Sequence, residues 1–130
     1  SAIEWQVRRF EERTQIPCLV EVPEHLMQLP DAQAIGLFRI LQEALTNVMR
    51  HAGAHSVEVH LWQEDDTLCL SVADDGKGFD PAQRKPGQSF GLVGMQERML
   101  MLGGQLQIDS RPGEGTTLYA RITLDEEVTA

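Results

Sequence analysis

The chain has 130 residues, a hydrophobic content of 42% that is ordinary for a globular protein, and a formal net charge of −9. That length makes a single domain able to bury its own core, and the acidity argues against a nucleic-acid surface. No apolar run approaches the roughly 20 residues of a membrane span. The opening SAIEWQVRRFEE is charged from its fourth residue and does not read as a signal peptide. Its start at Ser-Ala without Met sets the expectation that the natural chain continues upstream. Cys18 and Cys69 are too few for a disulfide framework and form no CxxC pair. They read as small buried hydrophobes in a reducing, intracellular compartment.

In chain order, residues 1 to 14 read as an amphipathic helix with Trp5 and Phe10 as apolar anchors. IPCLVEVP is a short β-like run closed by Pro23. The strongest helix signal is LPDAQAIGLFRILQEALTNVMRHAGA, with a start at Pro30 and Asp31 and a stop at HAGA. SVEVHLWQ and TLCLSVA alternate, and the polar EDDT between them reads as a hairpin turn. GLVGMQERMLMLGG returns to helical spacing and stops at Gly103-Gly104. QLQIDS and TTLYARITL are two further strands around the turn RPGEG. This mixture predicts an α+β fold: a mixed, mostly antiparallel sheet covered on one face by helices in a two-layer sandwich. Residues 1–15 are expected to be a helix or linker from an upstream region, and 16–130 the domain proper.

Spacing on the long helix carries the first chemical signal. At about 100° per residue, Ala34, Phe38, Leu41, Leu45, Val48 and Ala52 fall on one side. Glu43, Asn47 and Arg50 share the opposite stripe, with Gly36 beside them. This is either a solvated face with ordinary i,i+4 partners or an acid, an amide and a cation gathered around a ligand. The glycine costs helix stability, which suggests that something lies close to it.

The stretch SVADDGKGFDP, Ser71 to Pro81, poses the same choice at the end of a strand. A hairpin turn explains Asp-Gly, but not the second glycine or the long loop-like run after it. A small molecule needing a carboxylate and close backbone approach explains both. DPAQRKPGQSF, rich in Pro, Gly and charge, has the composition of a mobile lid. His51 and His55 have no HExxH context, and DDGKGFD does not fit a calcium loop.

QEALTNVMRHA, DDGKGF, GLVGMQER and GEGTT, in that order, make the chain resemble the ATP-binding catalytic domain of sensor histidine kinases. The first three correspond to that superfamily's asparagine box and two glycine boxes. The likeness runs over roughly residues 16 to 124, and the wording is most similar to the nitrate-sensor-like subfamily, which has a short lid. It implies a Bergerat-type ATP-binding fold, ATP and Mg²⁺ as ligands, and histidine kinase activity. The γ-phosphoryl group would pass to a histidine on an upstream dimerisation domain, and then to a response regulator. None of His25, His51, His55 or His60 has the context of that acceptor. The parent would be a homodimer and this part of it cytoplasmic, without nucleic-acid or direct membrane contact.

The resemblance also implies roles for particular residues. Asp74 would accept from the adenine amino group, with Thr116 as a second adenine-side contact and Thr117 turned to the other face. Gly76 and Gly78 would let backbone pass close to base and ribose. Asn47 would offer its amide oxygen to Mg²⁺, and Arg50 would touch phosphates. Glu43 would help activate the nucleophile, or else order water or pair with Arg39. His51 would either contact phosphate or pack beneath the lid. Gly91 and Gly94 would open a helix whose N–H groups receive phosphate oxygens, and Phe79, Leu92 and Met95 complete the nucleotide site. Met95, Met99 and Met101 read from their own chemistry as core and lid-hinge packing. Arg84 and Lys85 are either phosphate contacts or solvated cations. The rival readings are an anti-sigma-type serine kinase, an ATPase or chaperone relative, and a catalytically silent nucleotide-binding module.

Overall fold

The computed structural model describes residues 1–25, 28–83 and 91–124. In chain order the elements are α1 (Ala2–Thr14), β1 (Cys18–Glu21), α2 (Asp31–Asn47), β2 (Val57–Glu64), β3 (Thr67–Asp74), α3 (Leu92–Met101), β4 (Gly104–Ser110) and β5 (Thr116–Thr123). The strands form one sheet in the order β1-β2-β3-β5-β4. β1 runs parallel to β2, and every other pair is antiparallel. The helices cover one face, so the two-layer α+β sandwich expected from the sequence is the fold of the chain.

Alternation along the strands decides which face is covered. Val57, Val59 and Leu61 of β2, Leu68, Leu70 and Val72 of β3, and Leu118, Ala120 and Ile122 of β5 all point into the core. EDDT is the expected turn: Glu64 pairs with Thr67, and Asp65 adopts a φ of 53°. Aspartate tolerates that left-handed conformation better than most side chains. Cys18 and Cys69 are buried in strands as free thiols.

The helices depart from the expected phases. On α2 the buried residues are Gly36, Leu37, Ile40, Leu41, Ala44 and Leu45, followed by Val48. Ala34 is exposed and Phe38 only half-buried. The helix is thus turned by about 60° from the expected core face. α2 packs on the sheet, on α1 and on α3, and Phe38 lies on the side toward α1, lining a groove with Phe10. Gly36 does have a close neighbour, but it is protein: a Cβ there would run into Leu102 at the end of α3. On α1, Val7 and Phe10 reach the core, whereas Trp5 is 57% exposed with Arg9 stacked 4.9 Å from its ring centroid. Met95 and Met99 are buried, but Met101 is 88% exposed and packs nothing.

After Asn47 the helix widens into a π-turn, Val48–Ala52, and stops at Gly53, whose φ is 60°. Such widened turns often occur at functional sites, and this one carries Arg50 and His51. Ile40 lies fully buried at the centre of the α2–sheet contact. Ile40→Ala should lower stability by about 2–5 kcal/mol through lost burial and the cavity left behind. Urea denaturation of the two proteins measures this, and a loss below about 1 kcal/mol would contradict the packing described.

Candidate functional site

A cavity of about 180 Å³ opens between the C-terminal end of α2, the ends of β3 and β5, and the loop after β3. Ala44 and Val48 form its roof, Val72, Ile108 and Leu118 its floor, and Leu92 closes one side. Its polar lining is Asn47, His51, Asp74, Lys77 and Thr116. An apolar slot with a few converging polar groups is the usual form of a small-molecule site.

Asp74 is the last residue of β3 and Thr116 the first of β5, paired directly across the ladder. Asp74 Oδ1 accepts the Gly76 N–H at 2.8 Å, and the Thr116 N–H lies near the same carboxyl. Burial is the largest influence on this carboxyl and raises its pKa. The Gly76 N–H pulls the other way, the Asp75 charge adds to the rise, and the Thr116 N–H opposes it.

Asp75 is the opposite case. Its Oδ1 accepts the N–H groups of Ser56 at 3.0 Å and His55 at 2.7 Å, and its Oδ2 accepts the Ser56 hydroxyl at 3.0 Å. The Ser56 and His55 N–H groups hold this exposed carboxyl below its ordinary pKa. The double aspartate therefore divides two tasks. Asp74 faces the cavity, and Asp75 staples the link between α2 and β2 to the end of β3.

The second glycine of the loop is explained by protein backbone. Gly78 has a φ of 63°, and a Cβ there would strike the Arg111 carbonyl and come within 2.8 Å of the Gly115 carbonyl. At Gly115, with a φ of 75°, a Cβ would likewise strike the Asp74 carbonyl. The Gly113 N–H donates to the Lys77 carbonyl at 2.6 Å. The RPGEG turn thus clasps the DDGKG loop through main-chain contacts. Ser110 joins the clasp by accepting the Phe79 N–H at 2.9 Å.

Of the residues singled out in the sequence, the structure brings Asn47, His51, Asp74, Gly78, Phe79, Leu92 and Thr116 onto the cavity. Gly76 lies buried behind it and serves Asp74. Glu43 sits one turn before Asn47, its Oε1 3.1 Å from where a Cβ on Gly91 would stand. Gly91 caps α3 with a φ of 68° and no side-chain hydrogen bond, and a Cβ on Gly94 would meet open space. Arg50 is exposed and Met95 belongs to the core, and neither lines the cavity. Arg84, Lys85 and most of the lid stretch lie outside the described residues. Lys77 and Ser110 were not foreseen. Lys77 had a usable signal in its place between the two glycines, whereas Ser110 had none.

The profile of a family described as "Histidine kinase-, DNA gyrase B-, and HSP90-like ATPase" matches residues 32–127. The chain belongs to this family. The chain is 41% identical to the signal transduction histidine-protein kinase/phosphatase DegS of Brevibacillus brevis over 93% of its own length and 31% of the relative's. It is 43% identical to the sensor protein VraS of Staphylococcus aureus over 70% of its length and 26% of the relative's. The chain thus spans about a third or less of these relatives. Among solved structures, the histidine kinase domain of a blue-light activated histidine kinase from Erythrobacter litoralis superposes with a TM-score of 0.80 at 20% identity, covering 98% of this chain and 65% of that one. A mycobacterial sensor histidine kinase, MprB, gives 0.71 at 22% identity over 94% and 91%. At those identities the likeness is one of fold.

The two aspartates should respond oppositely to substitution. A carboxyl with a raised pKa destabilises the fold above that pKa and ceases to do so below the ordinary carboxylate range. Asp74→Asn should therefore raise the ligand-free melting temperature at pH 7, with the gain vanishing by about pH 3. Asp75 contributes stability at pH 7 that is lost as pH falls through its lowered pKa, so Asp75→Ala should melt lower at pH 7. Thermal melts at the two pH values check both signs, and a lower melting temperature for Asp74→Asn at pH 7 would contradict the burial argument.

Proposed function

We propose that this domain binds Mg-ATP and transfers its γ-phosphoryl group to a histidine on an upstream dimerisation domain of the same protein, for relay to a response regulator aspartate. The observation that carries the reading is the half-buried Asp74 beside Thr116 at the end of an apolar slot. An ionised carboxylate is acceptor-only and suits an exocyclic amino group, while Ala44, Val48, Val72, Ile108 and Leu118 offer apolar surface to the faces of a ring. Phe79 and Leu92 close the slot at its edges.

The phosphates would lie toward Asn47 and His51. α3 starts on Gly91 with no side-chain cap hydrogen bond, and the N–H groups of its first turn would receive phosphate oxygens. Arg50, on the adjacent π-turn, would reach the same anion from outside. Among the described residues no three His, Cys, Asp or Glu side chains cluster to hold a metal. That fits Mg²⁺ held mainly by phosphate and water, with the Asn47 amide oxygen as the protein's contribution. Bound there, the ion would neutralise charge on the transferring phosphoryl group. Glu43, beside the Gly91 cap, would orient the attacking histidine rather than the base. Support comes from the family, from a relative named as a histidine-protein kinase/phosphatase and from another named as a sensor protein. No described helix is long and apolar enough to cross a membrane, and we assign the domain to the cytoplasm, where ATP and response regulators meet, within a homodimeric parent.

Asp74→Asn should weaken ATP binding by about 1.5–3 kcal/mol, the worth of a hydrogen bond to a charged group. Calorimetry giving unchanged affinity in the folded variant would overturn the reading. With radiolabelled ATP, the isolated domain should stay unlabelled, because phosphoryl transfer needs an acceptor held in line. It should label its own dimerisation domain supplied in trans, in an acid-labile, base-stable form. Glu43→Gln should slow that labelling at least about tenfold with ATP affinity unchanged. Acid-stable label would point to a serine or threonine acceptor instead.

A further inference from the structure

Ser110, the last residue of β4, is absent from the cavity lining yet touches three groups that shape it. Its Oγ accepts the Phe79 N–H at 2.9 Å, lies 3.1 Å from the Gly115 carbonyl as donor, and sits 2.7 Å from Thr116 Oγ1. A serine hydroxyl has a single proton. The Gly115 carbonyl can only accept, so if all three contacts are hydrogen bonds the Ser110 proton goes to Gly115. The 2.7 Å pair must then be donated by Thr116. Its proton is spent inward, and only its lone pairs face the cavity.

Beside it stands Asp74, which is acceptor-only when ionised and whose Oδ1 already receives the Gly76 N–H. Two neighbouring acceptors thus end an apolar slot. That arrangement complements an amino group with two N–H bonds and opposes a carbonyl oxygen at the same place.

We propose that Ser110 is a positioning residue that fixes the polarity of the Thr116 hydroxyl, and so makes the pocket select a 6-amino over a 6-oxo purine nucleotide. The inference rests on the nucleotide reading given above. Ser110 works through Thr116 and does not touch the ligand. Its removal frees the Thr116 proton to turn toward the cavity, where it can meet a carbonyl oxygen.

The test compares ATP with inosine triphosphate, which shares its sugar and phosphates, by calorimetry at fixed Mg²⁺. The wild-type domain should prefer ATP by roughly 100-fold or more, since a carbonyl facing two acceptors leaves polar groups unpaired. Ser110→Ala should shrink that preference about tenfold or more, chiefly by improved inosine triphosphate binding. Ser110→Thr, which keeps a hydroxyl, should restore the preference. The Ser110→Ala, Thr116→Val double variant should lose the gain, because no hydroxyl is left to turn. A Ser110 that merely braced the loop would, on removal, weaken both nucleotides equally and leave the ratio unchanged, and that result overturns the proposal while the nucleotide reading stands. Should Ser110→Ala fail to fold, Ser110→Cys, a weak donor of similar size, serves for the same ratio. A wild-type domain that binds neither nucleotide overturns the nucleotide reading, and this inference with it.

Discussion

Asp74 ends β3 with its carboxyl half-buried among apolar side chains, and keeping an ionisable group there costs free energy that the rest of the fold must offset. The surrounding structure is arranged to hold it there. β5 begins opposite it with Thr116, whose N–H lies near the carboxyl, and the next turn of chain returns the Gly76 N–H to the same group. Two left-handed glycines, Gly78 and Gly115, let the RPGEG turn close against this loop at backbone-to-backbone distance. No side chain could take either place without pushing the two loops apart. The loop at the end of the cavity is therefore held by main chain against main chain, and Asp74 and Thr116 sit at the ends of two strands paired directly to each other.

The roof is built on a different principle. α2 lies over the sheet by the packing of Leu37, Ile40, Leu41, Ala44 and Leu45, and its last turn broadens into π geometry as it passes the cavity. The sequence showed that Glu43, Asn47 and Arg50 share a stripe, but spacing alone could not set the phase of that stripe against the core. Placed opposite the core, the three would all face solvent. The observed rotation instead brings Asn47 to the border of the buried face, where it joins the cavity, and leaves Arg50 outside. Phase depended on α1, whose Phe10 and Val7 take part of the apolar demand that a lone helix on a sheet would have met.

What could be read from the sequence follows the range of the interaction involved. The strands, the hairpin at Asp65-Asp66 and the stops at Gly53 and Gly103 are local, set by alternation and by left-handed glycines, and they were legible. The site was legible where a motif places its residues at an element's end, as with Asp74 and Thr116. It was not legible where a role depends on chain far away. Gly36 spoke of a close neighbour, yet only the tertiary structure shows that neighbour to be Leu102. Gly78 invited an explanation through a ligand, and its φ of 63° together with the Arg111 carbonyl supplies one from protein alone. Ser110 and Phe79 lie 31 residues apart in sequence, so nothing local announces that the serine serves the loop.

The two ends of α3 differ in a way that bears on how the site could respond to a ligand. Its C-terminal end is fixed: the Leu102 side chain fills the space left by Gly36, and the Gln33 side-chain amide donates to the Leu102 carbonyl at 2.9 Å. In the middle, Met95 and Met99 are sunk in the core. At its N-terminal end the helix begins on Gly91, with no side-chain cap, beside the Glu43 carboxylate. A carboxylate near the N–H groups at a helix start is favourable in the absence of other anions. Phosphate oxygens seeking the same N–H groups would compete with it and repel it. Binding at α3 would then displace the acid of α2 from the helix start, leaving it to act on another group. With an anion at the start of α3, the same pair of elements would link its presence to the position of Glu43, without requiring any change in the sheet that holds Asp74.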